Sequence, residues 1–321
     1  MMDLGEAIEA LEKGLLAEAQ GAAKNMVKTH VAWANGGTLH AIGAVFPDAG
    51  LAGTKTWAHT PGGATPLLIL FDSGTGALKA IIEAFALGQM RTGSASGVAT
   101  RWLAAERADD FAIIGAGKQA LAQAAAVVAV LPIRRVRVFA RNPERLAQFV
   151  NRVKKEFDVE VLAAPSIAEA VHGAPVITVV TRATEPILTG EMVARGAHIN
   201  AVGAITPDRA EIAASVLARC SRVVADSVPQ AQKLSRELME YYNSGQRRWE
   251  EVQSLAALVA ARQRRTTSDD LTLFKSLGMG ISDLALGIEL YHRAVQQGLG
   301  QKLEHPRKAA PRLRSVTHMK C

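Results

Sequence analysis

The first element that the hydrophobic pattern predicts is an amphipathic helix over residues 4–19. Leu4, Ile8, Leu11 and Leu15 recur at a spacing of three or four residues, which puts them on one helix face. From residue 27 to residue 71 the pattern changes to short apolar runs over 30–33, 39–46 and 67–71, separated by Gly, Pro, Asn and Asp. Such runs are typical of antiparallel strands and turns. This part of the chain therefore predicts an α+β unit.

After residue 91 short apolar strands alternate with helices. A helix is predicted over 93–103, and strands over 111–114, 135–140, 160–162, 176–181, 198–202 and 222–225. Helices over 115–131, 143–157 and 166–172 connect the first of these strands, and a last helix over 284–297 precedes the C-terminal tail. Strands that alternate with helices indicate a parallel sheet. The predicted fold class is therefore α/β, with a doubly wound parallel sheet.

Residues 111–120, Phe-Ala-Ile-Ile-Gly-Ala-Gly-Lys-Gln-Ala, are the strongest local motif. Gly115 permits a tight turn after the strand, Gly117 leaves the backbone open to a pyrophosphate, and Ala120 lets the next helix pack closely. The free N–H groups at a helix N-terminus attract phosphate. The motif lies between a predicted strand and a predicted helix, and this context predicts a Rossmann dinucleotide-binding domain.

The second strand of that unit ends at Ala140-Arg141-Asn142, with no carboxylate before Glu144. An NAD site usually has Asp or Glu at this strand end, where it binds the ribose hydroxyls. Arg141 is suited to pair with a 2′-phosphate, and Arg145 follows one helical turn later. Arg141, Asn142 and Arg145 therefore favour NADP(H). NAD(H) stays open, because both arginines also fit ordinary surface positions.

Composition restricts the partners of the chain. A length of 321 residues is comfortable for two domains, and a charged fraction of 21% is ordinary for a folded protein. No uncharged apolar stretch is long enough to span a membrane. The formal charge is +7, but residues 302–321 hold six Lys or Arg against one acid and carry most of the excess. Neither a nucleic acid nor a membrane is therefore expected as a partner.

The remaining polar residues indicate no metal or disulfide chemistry. The two cysteines, Cys220 and Cys321, have no metal-ligand spacing, and the acidic first helix does not resemble a signal peptide. A cytoplasmic protein without a metal is the expectation. Cys220 is interpreted as a buried thiol, Asp226 as a structural turn residue and His59 as a loop histidine.

Six segments, in this order and spacing, resemble the ornithine cyclodeaminase/mu-crystallin family over roughly residues 3–300. They are LAGTKT (51–56), FDSGTG (71–76), MRTGSAS (90–96), IIGAGKQA (113–120), NAVGA (200–204) and LFKSLG (273–278). The resemblance implies a Rossmann domain, here residues 97–279. It also implies a second α+β domain, residues 1–96 and 280–321, that binds substrate and forms a homodimer.

The resemblance also assigns roles to single residues. Lys55 matches the family's active-site lysine and Arg91 the arginine before the Rossmann domain, so these two are the candidate catalytic residues. An ammonium can hold a carboxylate or pass on a proton, and a guanidinium grips a carboxylate through two hydrogen bonds. Further cofactor contacts implied by the resemblance are Thr92, Ala116, Gln119, Thr181, Val202, Gly203, Lys275 and Ser276.

Two departures from the family bear on the reaction. Ile205 stands where ornithine cyclodeaminases carry an aspartate, and an apolar side chain cannot move a proton. No arginine precedes Lys55, where the family often has one for the substrate carboxylate; between the first helix and Lys55 the lysines are Lys24 and Lys28. The expected function is NAD(P)H-dependent reduction of a small α-imino acid (a ketimine) to an α-amino acid, or the reverse dehydrogenation. The alternatives are ornithine cyclodeamination with recycled NAD, and NADPH-dependent binding of a small ligand without turnover.

Overall fold

The structure is a computed structural model that describes residues 2–304 and 309–313. Most of the basic C-terminal tail, including Arg307, Lys308, Arg314 and Lys320, lies outside the described residues. Cys321 lies outside them as well. The expectation that this basic tail binds no nucleic acid therefore stays a prediction.

The first of two sheets is antiparallel and uses the N-terminal part of the chain. Its strands are β1 (Lys24–Asn25), β2 (Thr29–Trp33), β3 (Gly37–Phe46), β4 (Leu51–Thr60), β5 (Gly63–Ala64), β6 (Leu67–Asp72) and β7 (Leu78–Glu83). The order is β1-β3-β4-β6-β7, while β2 pairs with β3 and β5 with β4. Sequence analysis did not predict β4, the ten-residue strand at the centre of this sheet.

The second sheet is parallel and forms the α/β part of the molecule. Its strands are β8 (Asp110–Ile114), β9 (Arg135–Phe139), β10 (Glu160–Ala163), β11 (Val176–Val179), β12 (His198–Ala201), β13 (Cys220–Ala225), β14 (Val252–Ser254) and β15 (Leu271–Lys275). The order is β10-β9-β8-β11-β12-β15-β13-β14. With β8 as the first strand this order is 3-2-1-4-5-8-6-7, so the first five positions follow the Rossmann order 3-2-1-4-5-6, and β15 takes the sixth position. The predicted Rossmann fold class, with a second α+β unit, is confirmed.

Ten α-helices accompany the sheets in the described part of the chain. They are α1 (Leu4–Ala19), α2 (Phe85–Leu103), α3 (Ala120–Val130), α4 (Pro143–Glu156), α5 (Ile167–Val171), α6 (Ala214–Arg219), α7 (Val228–Leu234), α8 (Arg236–Asn243), α9 (Leu255–Ala261) and α10 (Gly280–Gln296). The predicted helix over 115–131 is wrong at its start, because residues 115–119 form the turn before α3. The helix predicted over 93–103 begins earlier and includes Arg91 and Thr92.

Helices α1, α2 and α10 join the two sheets. The face of α1 that carries Ile8, Leu11 and Leu15 is fully buried, and α1 packs against α2, α9 and α10. An Asp3–Glu6 capping box fixes the start of α1. The predicted domain boundary between residues 96 and 97 falls inside α2, so the division into residues 1–96 with 280–321 and 97–279 stays a prediction.

Small residues let α2 pass close to its neighbours. A Cβ atom on Gly93 would lie 2.7 Å from the carbonyl oxygen of Ala122 in α3. A Cβ atom on Gly97 would overlap the side chain of Ile8 in α1. The Gly-Ser-Ala-Ser-Gly stretch of α2, residues 93–97, is buried throughout. It therefore sets the separation of α2 from α1 and α3.

Gly93→Ala is expected to destabilise the protein, although alanine is the better helix former. The propensity gain of about 1 kcal/mol is outweighed by overpacking against backbone, which costs about 1–3 kcal/mol. Urea unfolding followed by circular dichroism measures the difference. The control is Gly88→Ala in the same helix, whose new Cβ would meet nothing nearer than Lys55 Nζ at 3.9 Å. If Gly93→Ala proves at least as stable as Gly88→Ala, the tight α2–α3 contact is refuted.

Candidate active site

The turn between β8 and α3 is the candidate cradle for a dinucleotide diphosphate. Gly115 has φ +117, and a Cβ there would lie 2.5 Å from the carbonyl oxygen of Val180, so only glycine fits. A Cβ on Gly117 would meet no atom within 4 Å, so this backbone borders open space. Helix α3 begins at Ala120, and the nearby Oε1 of Gln119 is buried without a hydrogen-bond partner among the described residues. An open glycine backbone at a helix N-terminus fits a bound diphosphate.

The end of β9, beside this turn, carries the residues predicted to select the cofactor. Arg141 and Arg145 are exposed, and neither forms an ion pair within the described part of the chain. The Oδ1 of Asn142 accepts a hydrogen bond from the backbone N–H of Arg145 at 2.9 Å and caps α4. Ala116, in the turn itself, is half-buried. Two unpaired guanidinium groups therefore stand at the strand end where a ribose would lie.

The next two strands, β11 and β12, end in loops that one buried carboxylate holds. Glu211 accepts hydrogen bonds from the backbone N–H and the hydroxyl of Thr181, at 2.5 and 2.8 Å. It also accepts from the N–H groups of Gly203 and Ala204, at 2.7 and 2.9 Å. A Cβ on Gly203 would overlap the backbone of Thr181. Val202 is buried beside them, so the predicted residues of these two loops lie together.

Lys275 and Ser276 lie at the end of β15, but each has a partner inside the protein. The fully buried Nζ of Lys275 donates to Glu237 at 2.7 Å. The hydroxyl of Ser276 donates to Asp226 at 3.2 Å. Their assignment as direct cofactor contacts stays a prediction. In the structure both side chains form hydrogen bonds to buried carboxylates, Lys275 to Glu237 and Ser276 to Asp226.

The two candidate catalytic residues share one carboxylate. Lys55 lies in the middle of β4, is 4% exposed and donates from Nζ to Oδ1 of Asp283 at 2.5 Å. The Nε of Arg91, on α2, lies 3.4 Å from the same oxygen. Asp283 stands in the first turn of α10, is fully buried, and its Oδ2 has no hydrogen-bond partner among the described residues. The fold thus brings β4, α2 and α10 together at the carboxylate of Asp283.

Arg91 connects this cluster to the parallel sheet. Its Nη1 would lie 2.8 Å from a Cβ on Gly278, which has φ +91 and follows the end of β15. The N–H of Gly278 donates to Asp226 at 2.7 Å, and the N–H of Leu277 donates to it at 2.8 Å. Burial raises the pKa of Asp226, and these hydrogen bonds oppose the rise. Asp226 is therefore the structural residue that the sequence indicated, and it anchors the backbone against which Arg91 packs.

Electrostatics distinguish Lys55 from an ordinary surface lysine. Burial, followed by the nearby Arg91, lowers the pKa of Lys55 to about 8, while Asp283 opposes the change. Burial and Arg91 also lower the pKa of Lys28, which interacts with Asp283 and Asp226. Lys28 therefore lies beside the cluster, and it is one of the two lysines that the sequence offered in place of the missing arginine.

An aromatic stack beside Lys55 was missed by sequence analysis. His30, His40 and Trp57 face one another across β2, β3 and β4, with ring centroids 5.5 and 4.7 Å apart. Lys55 Nζ lies 5.2 Å from the centroid of Trp57. Burial lowers the pKa of His40 to about 4, so this imidazole is neutral at pH 7. His59 follows two residues later on β4, so its interpretation as a loop residue is wrong.

Three further residues complete the comparison with the sequence. The hydroxyl of Thr92 donates to the carbonyl of Gly88, one turn earlier in α2, at 2.9 Å. Ile205 is 36% exposed in the loop after β12.

Asp283 carried no sequence signal, because one acid in the first turn of a helix is common. The alternation Leu51, Gly53, Lys55, Trp57 could have revealed a strand with Lys55 and Trp57 on one face.

Other site classes find no support among the described residues. Within residues 2–304 and 309–313 no three or more His, Cys, Asp or Glu side chains are arranged to hold a metal ion. No helix in the same ranges has the length and apolarity to cross a membrane. Burial raises the pKa of Cys220 to about 12, and its thiol is buried and free, as predicted.

Two comparisons of sequence relate the chain to enzymes that act on imino acids. Δ1-Pyrroline-2-carboxylate reductase of Bacillus cereus is 31% identical over 240 residues, 74% of this chain and 74% of the relative. Ketimine reductase mu-crystallin of Rattus norvegicus is 35% identical over 224 residues, 70% of this chain and 68% of the relative.

Solved structures share the whole architecture. Δ1-Pyrroline-2-carboxylate reductase of Thermococcus litoralis, in complex with NADH and L-proline, superimposes with a TM-score of 0.89 at 29% identity, covering 94% of this chain and 97% of that one. An archaeal alanine dehydrogenase dimer with bound NAD gives 0.87 at 27% identity, covering 95% of each chain. The ornithine cyclodeaminase/mu-crystallin family model matches residues 1–298. This chain belongs to the ornithine cyclodeaminase/mu-crystallin family.

Proposed function

We propose that this chain reduces a small α-imino acid to the α-amino acid with a nicotinamide dinucleotide, or catalyses the reverse dehydrogenation. This is the chemistry of the imino-acid reductases and alanine dehydrogenases among its relatives. The observation that carries the proposal is the buried cluster of Lys55, Asp283 and Arg91 at the edge of a sheet built to hold a dinucleotide. We expect the reaction to take place in the reducing cytoplasm.

Charge in the cluster suits a substrate with one carboxylate. Lys28, Lys55 and Arg91 bring three positive charges, against the two carboxylates of Asp226 and Asp283. Among these five groups, one positive charge is therefore left without a partner. A substrate carboxylate supplies the missing negative charge, and a guanidinium with two parallel N–H groups fixes its orientation. Lys28 takes the place of the arginine that the sequence lacks.

Lys55 supplies the proton of the reduction. Reduction of an imine adds a hydride to the carbon and a proton to the nitrogen. The bound cofactor supplies the hydride. With a pKa of about 8, the Lys55 ammonium is mostly protonated at pH 7 and still acidic enough to give its proton to a basic nitrogen. Asp283 keeps the ammonium in place, and after transfer the Lys55 amine takes up a proton from solvent, which the charge of Asp283 favours.

NADP(H) is the preferred cofactor in this proposal, with NAD(H) as the second choice. Gly115, Gly117 and the N-terminus of α3 would hold the diphosphate. Arg141 and Arg145 are free of ion pairs in the described chain, and no carboxylate stands at the end of β9 to repel a 2′-phosphate. The two solved structures described above contain NADH and NAD, so the preference rests on these arginines alone.

A homodimer is the proposed assembly, as in the archaeal alanine dehydrogenase. The face of the antiparallel sheet that points away from Lys55 is apolar and exposed. Its exposed members are Val31, Trp33, Leu39, Phe71 and Ile81. A contiguous apolar sheet face is seldom left in water, and a second copy of this chain would cover it.

Replacing Lys55 by Met should sharply reduce turnover while leaving the dinucleotide site intact. Loss of a general acid lowers kcat/KM by about 10²–10⁴-fold. Absorbance at the reduced nicotinamide band measures turnover with Δ1-pyrroline-2-carboxylate and with pyruvate plus ammonia. Lys13→Met, an exposed change on α1, serves as the control. Wild-type protein that turns over none of these imines, yet makes proline from ornithine without net cofactor consumption, would contradict the proposal.

The pH profile should follow the Lys55 ammonium. Below its pKa of about 8 the acid is present, so kcat/KM for reduction is high and falls as pH rises through 8. Amino-acid oxidation needs the neutral amine and should rise over the same range. Asp283→Asn should move both limbs to lower pH, because Asp283 holds the Lys55 pKa up. A reduction rate that stays flat from pH 7 to pH 9.5 is the result that excludes Lys55 as the acid.

Arg141→Ala tests the cofactor preference. Loss of a charge-assisted contact with the 2′-phosphate should weaken NADPH binding by about tenfold or more, and NADH binding much less. Isothermal titration calorimetry with both cofactors gives the two affinities. Arg152→Ala, an exposed arginine on α4, is the matched control. Equal effects on NADPH and NADH would remove the argument for NADP(H).

A further inference from the structure

We propose that Glu211 is a positioning residue that fixes the two loops bordering the nicotinamide half of the cofactor, and that Lys275 contributes through Glu237 and Glu211 rather than by touching the cofactor. This inference rests on the dinucleotide site of the proposed function. It concerns the residues Thr181, Gly203 and Lys275 that sequence analysis assigned to the cofactor.

The single carboxylate of Glu211 accepts hydrogen bonds from both loops. Its Oε1 accepts from the N–H and the hydroxyl of Thr181, after β11. Its Oε2 accepts from the N–H groups of Gly203 and Ala204, after β12. The side chain is fully buried. Each oxygen therefore belongs to one loop, and the carboxylate sets the distance between the loops.

The carboxylate of Glu237 and the ammonium of Lys275 support the backbone of Glu211. The Oε1 of Glu237 accepts from the backbone N–H groups of Glu211 and Ile212, at 2.6 and 3.2 Å. The other oxygen of Glu237 accepts from Nζ of Lys275 at 2.7 Å, and both side chains are buried. The series Lys275, Glu237, Glu211 thus runs from the end of β15 to the two loops.

The position of these loops in the sheet connects them with the nicotinamide. The glycine turn follows β8, and the ribose of the adenosine half is read at the end of β9, on one side of β8. The other half of the dinucleotide must then cross the ends of β11 and β12, on the opposite side. The Cγ2 of Thr181 would lie 3.3 Å from a Cβ on Gly115, so the first loop adjoins the turn directly.

Only an ionised carboxylate can hold both loops. Burial raises the pKa of Glu211, while Lys275 and the N–H donors oppose that rise and favour the charged form. A glutamine in its place accepts on a single oxygen and points an NH₂ group at the N–H groups of the other loop. One loop is then released, although the size of the side chain is unchanged.

The test compares binding of the whole dinucleotide with binding of its nicotinamide-free fragment. Calorimetry would use NADPH and NADH against ADP-ribose and its 2′-phosphate, on the full-length chain with Glu211→Gln. We expect the dinucleotide to bind about tenfold more weakly, the size expected for losing hydrogen bonds to a charged group, and the fragment to bind as in wild type. Glu160→Gln, an exposed change on β10, is the control.

The possible outcomes separate this inference from the proposed function. Equal weakening of dinucleotide and fragment would make Glu211 a purely structural residue and overturn the proposal, as would unchanged binding of both. If Glu211→Gln does not fold, Glu237→Gln must show the same selective weakening, and wild-type binding of both ligands by that variant refutes the inference. A wild-type chain that binds neither NADPH nor NADH contradicts the proposed function itself.

Discussion

A single buried carboxylate, Asp283, determines how the reactive end of this molecule is arranged. It receives Lys55 from the antiparallel sheet and Arg91 from α2, while its own helix packs against both elements. A charge in a low-dielectric interior is strongly destabilising without its partners, so none of the three side chains can leave the cluster cheaply. The consequence is that a lysine with a lowered pKa and an arginine are held next to each other, which like charges alone would never allow.

The parallel sheet uses the same device at its C-terminal edge. Asp226, Glu211 and Glu237 are buried carboxylates that accept backbone N–H groups from the loops after β11, β12 and β15. Loops at this edge cannot pair their N–H groups with neighbouring strands, and an unpaired buried N–H costs about 1–3 kcal/mol. Buried carboxylates remove that cost and fix the loops before any ligand arrives. The edge on which a dinucleotide would lie is therefore preorganised by buried carboxylates.

The two faces of the antiparallel sheet have different surroundings, because side chains alternate between the faces along each strand. Its inner face carries Lys55, Trp57 and His40, and its outer face is apolar and exposed. Because successive side chains point to opposite faces, one strand such as β4 can supply the substrate pocket and the outer surface at once. In the proposed reaction, the inner-face side chains nearest Lys55, Trp57 first among them, are where substrate preference would be set.

The sequence by itself determined the helix 4–19, six of the eight strands of the Rossmann sheet (β8 to β13) and the glycine turn at Gly115, because each depends on contacts between residues close in the chain. Strands β14 and β15 were not predicted. The family resemblance identified Lys55 and Arg91. The partner of both, Asp283, and the series from Lys275 to Glu211 were decided by the tertiary structure. These pairs join residues between 26 and 228 positions apart in the chain, and a lone buried acid has no periodicity that marks it. Strand β4 was missed for a related reason: its Gly, Thr and Lys residues become a central strand only when β3 and β6 pair with it on both sides.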